Sequence, residues 1–130
     1  MPVLKQFRIY RNDLMNNRGV LYVFGDNEER KGFGGQAKEM RGEPNAVGVR
    51  TKAKPSVGED AYLSDSNFEA NCLSIDIDLE PVVNHLREGK IVVLPSEGLG
   101  TGLARLKEKA PKTASYLEFA LKELELHYGL

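Results

Sequence analysis

The residues of this chain best placed by type and spacing to do chemistry are glycines. Three stand at Gly32, Gly34 and Gly35, and three more at Gly98, Gly100 and Gly102. Glycine tolerates positive φ and lets a ligand approach the backbone closely, so two clusters in one short chain read as two backbone-lined loops. The plainer alternative is a pair of tight turns. Two sets of backbone N–H groups facing one crevice would suit a diphosphate, so the glycines point to a phosphate-bearing, nucleotide-like ligand. The established phosphate motifs are absent. The Gly89-Lys90 pair is followed by isoleucine, so there is no Walker loop. Gly32, Gly34 and Ala37 fit G-x-G-x-x-[GA], but seven residues separate them from the apolar run ending at Phe24. The dinucleotide fingerprint needs an immediate strand-to-helix turn. No G-x-S-x-G surrounds Ser96, and Cys72 lies in an apolar segment as a core residue. Cys72 with His85 and His127 is too small a set for structural zinc, and no metal site is predicted.

The elements that would position these loops are read from periodicity. Residues 7–10 read as a short strand broken by Arg11-Asn12-Asp13. The run V-L-Y-V-F at 20–24 suits a strand buried on both faces and ends in Gly25-Asp26-Asn27. A charged loop at 28–31 precedes the first glycine cluster, and a short helix over 36–41 is stopped by Gly42 and Pro44. Residues 46–49 form a further strand, followed by a basic stretch at 50–55 and an aperiodic loop or meander at 56–68. Leu73, Ile75 and Ile77 alternate with polar residues as in a strand. A helix over 79–88 has Pro81 in its first turn and Gly89 as its stop. Residues 91–94 (I-V-V-L) are the strongest strand and run into the second glycine cluster. A C-terminal helix over 111–127 carries Ala114, Leu117, Leu121, Leu124 and Tyr128 on one stripe. Buried strands alternating with amphipathic helices predict an α/β fold, a three-layer α/β/α sandwich on a mixed, mostly parallel sheet. Ligands bind beyond the carboxyl ends of such strands, where both glycine clusters would lie.

Composition narrows the class. At 130 residues a single domain over 1–130 is expected. Hydrophobic residues at 41% and charged residues at 28% exclude a largely disordered chain. Eighteen Lys plus Arg against 19 Asp plus Glu argue against a general polyanion binder. No apolar run reaches the ~20 residues of a membrane span, and no leader is apparent. One cysteine fits a reducing compartment, so the expectation is a cytoplasmic, monomeric protein without a membrane partner.

One arrangement of these motifs resembles a known family. Asn12-Asp13-Leu14, Phe24-Gly25-Asp26-Asn27 and Gly32-Phe33-Gly34-Gly35 stand in the order of the Gly-Asp-Leu turn, V-N-A-A-N strand end and G-G-G-V loop of macrodomains. Pro95-Ser96-Glu97-Gly98-Leu99-Gly100-Thr101-Gly102-Leu103 is similar to their later P-x-I-G-T-G-L element. The likeness covers roughly residues 6–125 and is nearest to the small single-domain ADP-ribosyl hydrolases. It implies binding of ADP-ribose or an ADP-ribosylated substrate, nucleic acid included only if ADP-ribosylated, with no resident cofactor. It further implies that Asp13 accepts from the adenine amino group, and that Asn27 and the loop of Gly32, Gly34 and Gly35 surround the distal ribose and part of the diphosphate. Gly98, Leu99, Gly100, Thr101, Gly102 and Leu103 would wrap the diphosphate. The chain departs from the pattern in three places. Val23-Phe24-Gly25 replaces the V-N-A motif, Phe33 replaces a loop glycine, and Ala104 stands where the hydrolases carry an aspartate.

The chemistry that survives centres on Lys52, which is similar in context to the family's lysine. Beside Arg50 and Lys54 it would be a nucleophile toward C1″ of the ribose, or else part of a solvated basic loop attracting the anion. Glu97 and Asp26 are the carboxylates expected in the same crevice, with Glu97 as substitute for the missing acid. Asp13 reads equally as a turn or helix cap. The two functional classes are an ADP-ribosyl hydrolase and a non-catalytic reader or sponge.

Overall fold

A computed structural model of the chain describes residues 2–129. Its elements in order are β1 (Val3–Gln6), α1 (Arg11–Asn16), β2 (Leu21–Asn27), α2 (Ala37–Met40) and β3 (Ala46–Lys52). Two 3₁₀ turns, Glu59–Ala61 and Asp65–Asn67, lead to α3 (Phe68–Arg87), β4 (Val92–Pro95), α4 (Leu106–Lys109) and α5 (Pro111–Tyr128). The four strands form one sheet in the order β1-β4-β2-β3, and every neighbouring pair is parallel.

Side chains alternate across this sheet, as strand geometry requires. Tyr22, Phe24 and Val93 point to one face, where they bury Leu14 of α1 and Ala37 and Met40 of α2. Val23, Val49, Val92 and Leu94 point to the other, against Ile75, Leu79, Val82 and Leu86 of α3 and Leu117 and Leu124 of α5. Helices on both faces explain why the central strands are apolar throughout. The architecture is the predicted α/β/α sandwich, with a sheet that is parallel throughout rather than mixed. Among the described residues no helix is long and apolar enough to cross a membrane.

The structure departs from the sequence expectations in four places. The first strand is residues 3–6, not 7–10, and it lies at a sheet edge paired with β4 (Val3↔Val92). Only Val3 is buried in it, so V-L-K-Q lacks a strand-like pattern. Arg11-Asn12-Asp13 does not end a strand but opens α1, with the Tyr10 N–H donating to Asp13 Oδ2 at 2.8 Å. The alternation at Leu73, Ile75 and Ile77 belongs to the 20-residue helix α3. Ile75 is 0% exposed, whereas Leu73 and Ile77 are 61% and 53% exposed, so two outward apolar residues imitated a strand. Pro81 consequently lies inside that helix rather than in its first turn. It cannot donate to the carbonyl of Ile77, but both residues are exposed and water can take that bond. Finally, β3 runs on through Arg50, Thr51 and Lys52, three residues expected in a loop.

The start of α5 is fastened from a distance. Asp65 accepts from the N–H groups of Lys112 (2.8 Å) and Thr113 (3.0 Å) and from the Thr113 hydroxyl (2.9 Å). Partial burial pushes the Asp65 carboxyl up, but these three donors outweigh it and hold the group below its ordinary value. A lowered folded-state value means the contribution is complete above the usual aspartate range and disappears as pH falls through the folded value. Asp65→Ala is expected to cost about 1 kcal/mol. Thermal unfolding at pH 7 should show a Tm lower by a few degrees, and the gap to wild type should close as the solution is acidified.

Candidate functional site

β2 and β4 are neighbours in the sheet and point the same way, so the loops that leave them start side by side. The loop after β2 carries Gly32, Gly34 and Gly35, and the loop after β4 carries Gly98, Gly100 and Gly102. Between them opens a cavity of about 600 Å³ at the carboxyl edge. It extends across all four strand ends. Phe7, Ile9 and Tyr10 line it beyond β1, Gly100 to Ala104 beyond β4, Gly32 to Gln36 beyond β2, and Thr51 and Lys52 at the end of β3. Three inter-strand steps make this roughly 14 Å from the aromatic end to the lysine end.

Glycine is required at Gly100, and Gly34 is closely approached from the other loop. Gly100 has φ +74°, and a Cβ there would meet Leu106 Cβ at 3.0 Å and Thr51 Cβ at 3.2 Å. Gly34 passes beneath Leu103, whose Cδ1 would lie 3.1 Å from an added Cβ, so the two loops touch over the cavity. Among the described residues, no protein group accepts from the N–H groups of residues 32–36 or 100–104, all of which line the cavity. Most of these residues are exposed, so their N–H groups are left to water or to a ligand in the cavity.

Gln36 joins the loops. Its Oε1 accepts from the Gly25 N–H at 2.8 Å, while its Nε2 donates to the Gly98 carbonyl at 3.1 Å and approaches Glu97 Oε1 at 3.4 Å. No sequence signal marks this residue. It acts through an amide that carries donor and acceptor together, reaching a carbonyl 62 positions away in the chain.

The expected site residues divide. Gly32, Gly34, Gly35, Gly100, Thr101, Gly102 and Leu103 all line the cavity. Gly98 forms the turn behind it, donating to the Pro95 carbonyl, and Leu99 is a core residue beneath α3 and α5. Asn27 lines the wall but spends its side chain on its own loop, accepting from the Glu29 N–H (3.0 Å) and donating to the Lys31 carbonyl (2.7 Å). Asp13 is outside the wall, with Oδ2 engaged by Gln6 Nε2 and the Tyr10 N–H, as a helix cap would be. Asp26 is buried and faces the guanidinium groups of Arg41 and Arg30, so it is an anchor for cations. Glu97 is exposed at the end of β4, two strand positions from β3.

Lys52 is 8% exposed. Its Nζ donates to the Ser56 carbonyl at 2.6 Å and lies 5.4 Å from the Tyr62 ring centroid. No carboxylate among the described residues pairs with it, whereas Arg50 is bound to Asp78 and Lys54 to Asp60. Those two cations are therefore not its working neighbours. Arg105 and Lys109 lie 5.7 and 5.1 Å from the same tyrosine ring, Arg105 being itself paired with Glu108. Lys52 lines the cavity, while its ammonium group is received by the Ser56 carbonyl and the Tyr62 ring, which do not line it.

The fold and site define a parallel α/β protein with a donor-lined cavity at the carboxyl edge of its sheet. Residues 4–120 match the model of a family of unknown function (DUF7831), and the chain belongs to that family. No curated protein and no solved structure matches it.

The glycine geometry is open to a direct check. Gly100→Ala forces a side chain into a left-handed backbone and against Leu106, so it should lower stability by about 2 kcal/mol. A Cβ at Gly102 meets nothing within 4 Å, and Gly102→Ala should stay within about 0.5 kcal/mol of wild type in chemical denaturation.

Proposed function

We propose that the cavity binds ADP-ribose or a closely related ADP-ribosyl nucleotide in the manner of a macrodomain. The observation that carries this reading is the pair of unpaired N–H runs, residues 32–36 and 100–104, on two adjacent strand ends. Backbone donors converging from two sides suit the oxygens of a diphosphate. The order of features across the sheet supports the same ligand. Phe7, Ile9 and Tyr10 offer an apolar, aromatic end for a base, the glycine loops take the diphosphate in the middle, and Lys52 meets the far ribose. A cavity of about 600 Å³ is in the range of small-molecule sites.

Calorimetry tests the assignment. ADP-ribose should bind more tightly than AMP, ribose 5-phosphate or inorganic pyrophosphate, near the micromolar level or about −8 kcal/mol. Equal affinity for AMP and ADP-ribose would remove the two-ended ligand, and no heat at millimolar ADP-ribose would remove the reading altogether.

A second reading, hydrolysis of an ADP-ribosyl linkage, is favoured by Lys52, a buried amine without a carboxylate partner at the ribose end. Lys52→Ala should weaken ADP-ribose binding by about tenfold, or roughly 1.4 kcal/mol. If Lys52 takes part in bond cleavage, the same variant should lose turnover of ADP-ribosylated protein by orders of magnitude more than it loses affinity. Wild-type protein that binds ADP-ribose but releases none from such substrates leaves the binding module as the function.

A further inference from the structure

Arg41, just after α2, is tied into the first glycine loop more closely than any other side chain. Its Nε donates to the Gly32 carbonyl at 2.6 Å and its Nη2 to the Lys31 carbonyl at 3.1 Å. Nη2 also reaches Asp26 Oδ1 at 2.5 Å, and Nη1 reaches Oδ2 at 3.3 Å. Four of the five guanidinium N–H groups are thus engaged by protein, and the group lies 5.6 Å from the Phe24 ring centroid. Asp26 is itself held. Arg30 Nη1 lies 3.1 Å from its Oδ2, and Arg30 Nη2 continues to Asp78 Oδ1 on α3 at 2.7 Å. Arg50 closes the series on Asp78 at 2.9 Å. Three cations and two carboxylates thereby link α2, β2, β3 and α3. Gly48 makes room for it, because a Cβ there would lie 2.6 Å from Asp26 Oδ2.

The two carbonyl contacts have a directional consequence. In a trans peptide the C=O and N–H point in opposite directions. Drawing the carbonyls of Lys31 and Gly32 toward one guanidinium turns the N–H groups of Gly32 and Phe33 away from it, both to the same side. A concave pair of successive amides forms where a left-handed residue follows or precedes a right-handed one, and Gly32 has φ +92°. Both N–H groups belong to the unpaired run, and both residues line the cavity.

We infer that Arg41 is the positioning residue that makes the first glycine loop an anion-binding nest. It sets the direction of the Gly32 and Phe33 N–H groups, with its own donors committed to the loop and to Asp26. The ligand side of this inference rests on the proposed diphosphate site, whereas the ordering of the loop does not.

Backbone ¹⁵N relaxation and amide shifts of wild type, Arg41→Lys and Arg41→Gln test both sides, with inorganic pyrophosphate and ADP-ribose as probes. Arg41→Lys keeps a charge beside Asp26 but loses the fork, and so keeps the test open if Arg41→Gln fails to fold. In ligand-free protein both variants should lose order at residues 31–35 and keep it at 98–104. With probe added, wild type should shift the amides of both loops. The variants should shift only those of the second loop, with affinity lower by about tenfold. Unchanged order at 31–35 in the variants would overturn the inference, as would Gly32 and Phe33 amides that answer the probe as in wild type. If wild type answers neither probe, the diphosphate reading fails, and the inferred nest fails with it even where the relaxation data show Arg41 ordering the loop.

Discussion

Parallel pairing of β2 with β4 is the constraint on which the rest of the molecule depends. The contact is short, Leu21↔Val92 and Tyr22↔Val93, yet it joins the two halves of the chain at the centre of the sheet. Parallel neighbours end at the same edge, so a pairing made by apolar strand residues also brings the two glycine loops together. An antiparallel pairing would send them to opposite ends of the sheet, and no cavity would form between them. β1 and β3 then add one strand on each flank and bring the aromatic segment at 7–10 and Lys52 to opposite ends of the same edge.

Two features of the site oppose stability. Glycines at positive φ, Gly32, Gly35, Gly98 and Gly100, give the loops extra backbone freedom in the unfolded chain, and a nearly buried ammonium group loses hydration without gaining a carboxylate. The surroundings limit that cost. The Ser56 carbonyl and the Tyr62 ring receive Lys52, and Gln36 ties β2 to the second loop through the Gly25 N–H and the Gly98 carbonyl. Asp26 brings Arg41 under the first loop at the expense of Gly48, a strand position that would otherwise carry a side chain. Departures from local rules gather where the cavity is, and the compensating bonds come from residues distant in sequence.

That distribution explains what could be read from the sequence. The central strands were legible because both faces are covered, which leaves V-L-Y-V-F and I-V-V-L uninterrupted by polar residues. The stripe of α5 was legible for the same reason. The N-terminal half of α3 was not, because Asn71 and Asp78 occupy its buried stripe. Asn71 is satisfied by the Ser64 carbonyl and Thr113, and Asp78 by Arg30 and Arg50, partners that periodicity does not contain. In the site, glycines and a lysine announced themselves by type. Asp26 was legible as a polar strand end but not as an anchor, since its role is set by Arg41, 15 positions away. Gln36 and Arg41 carry no motif at all. Their importance lies in the backbone atoms they hold.

The carboxylates around the cavity bear on what chemistry the proposed ligand could undergo. Asp26 is committed to two guanidinium groups, and Glu97 stands at the β4 end, beside Gln36. Ala104 contributes no acid, and Glu39 accepts from the Arg11 N–H on the α2 side. At the β3 end Lys52 stands over Tyr62, whose ring also receives Arg105 and Lys109, and Arg105 is paired with Glu108. Attack by Lys52 on the ribose would first require its ammonium group to give up a proton, and no carboxylate among the described residues is paired with it to accept one. Under the proposed reading the lysine end either holds the ribose or, once deprotonated, displaces the group linked at C1″, which then leaves with the bonding electrons and needs a proton, and the two alternatives differ in the fate of one nitrogen.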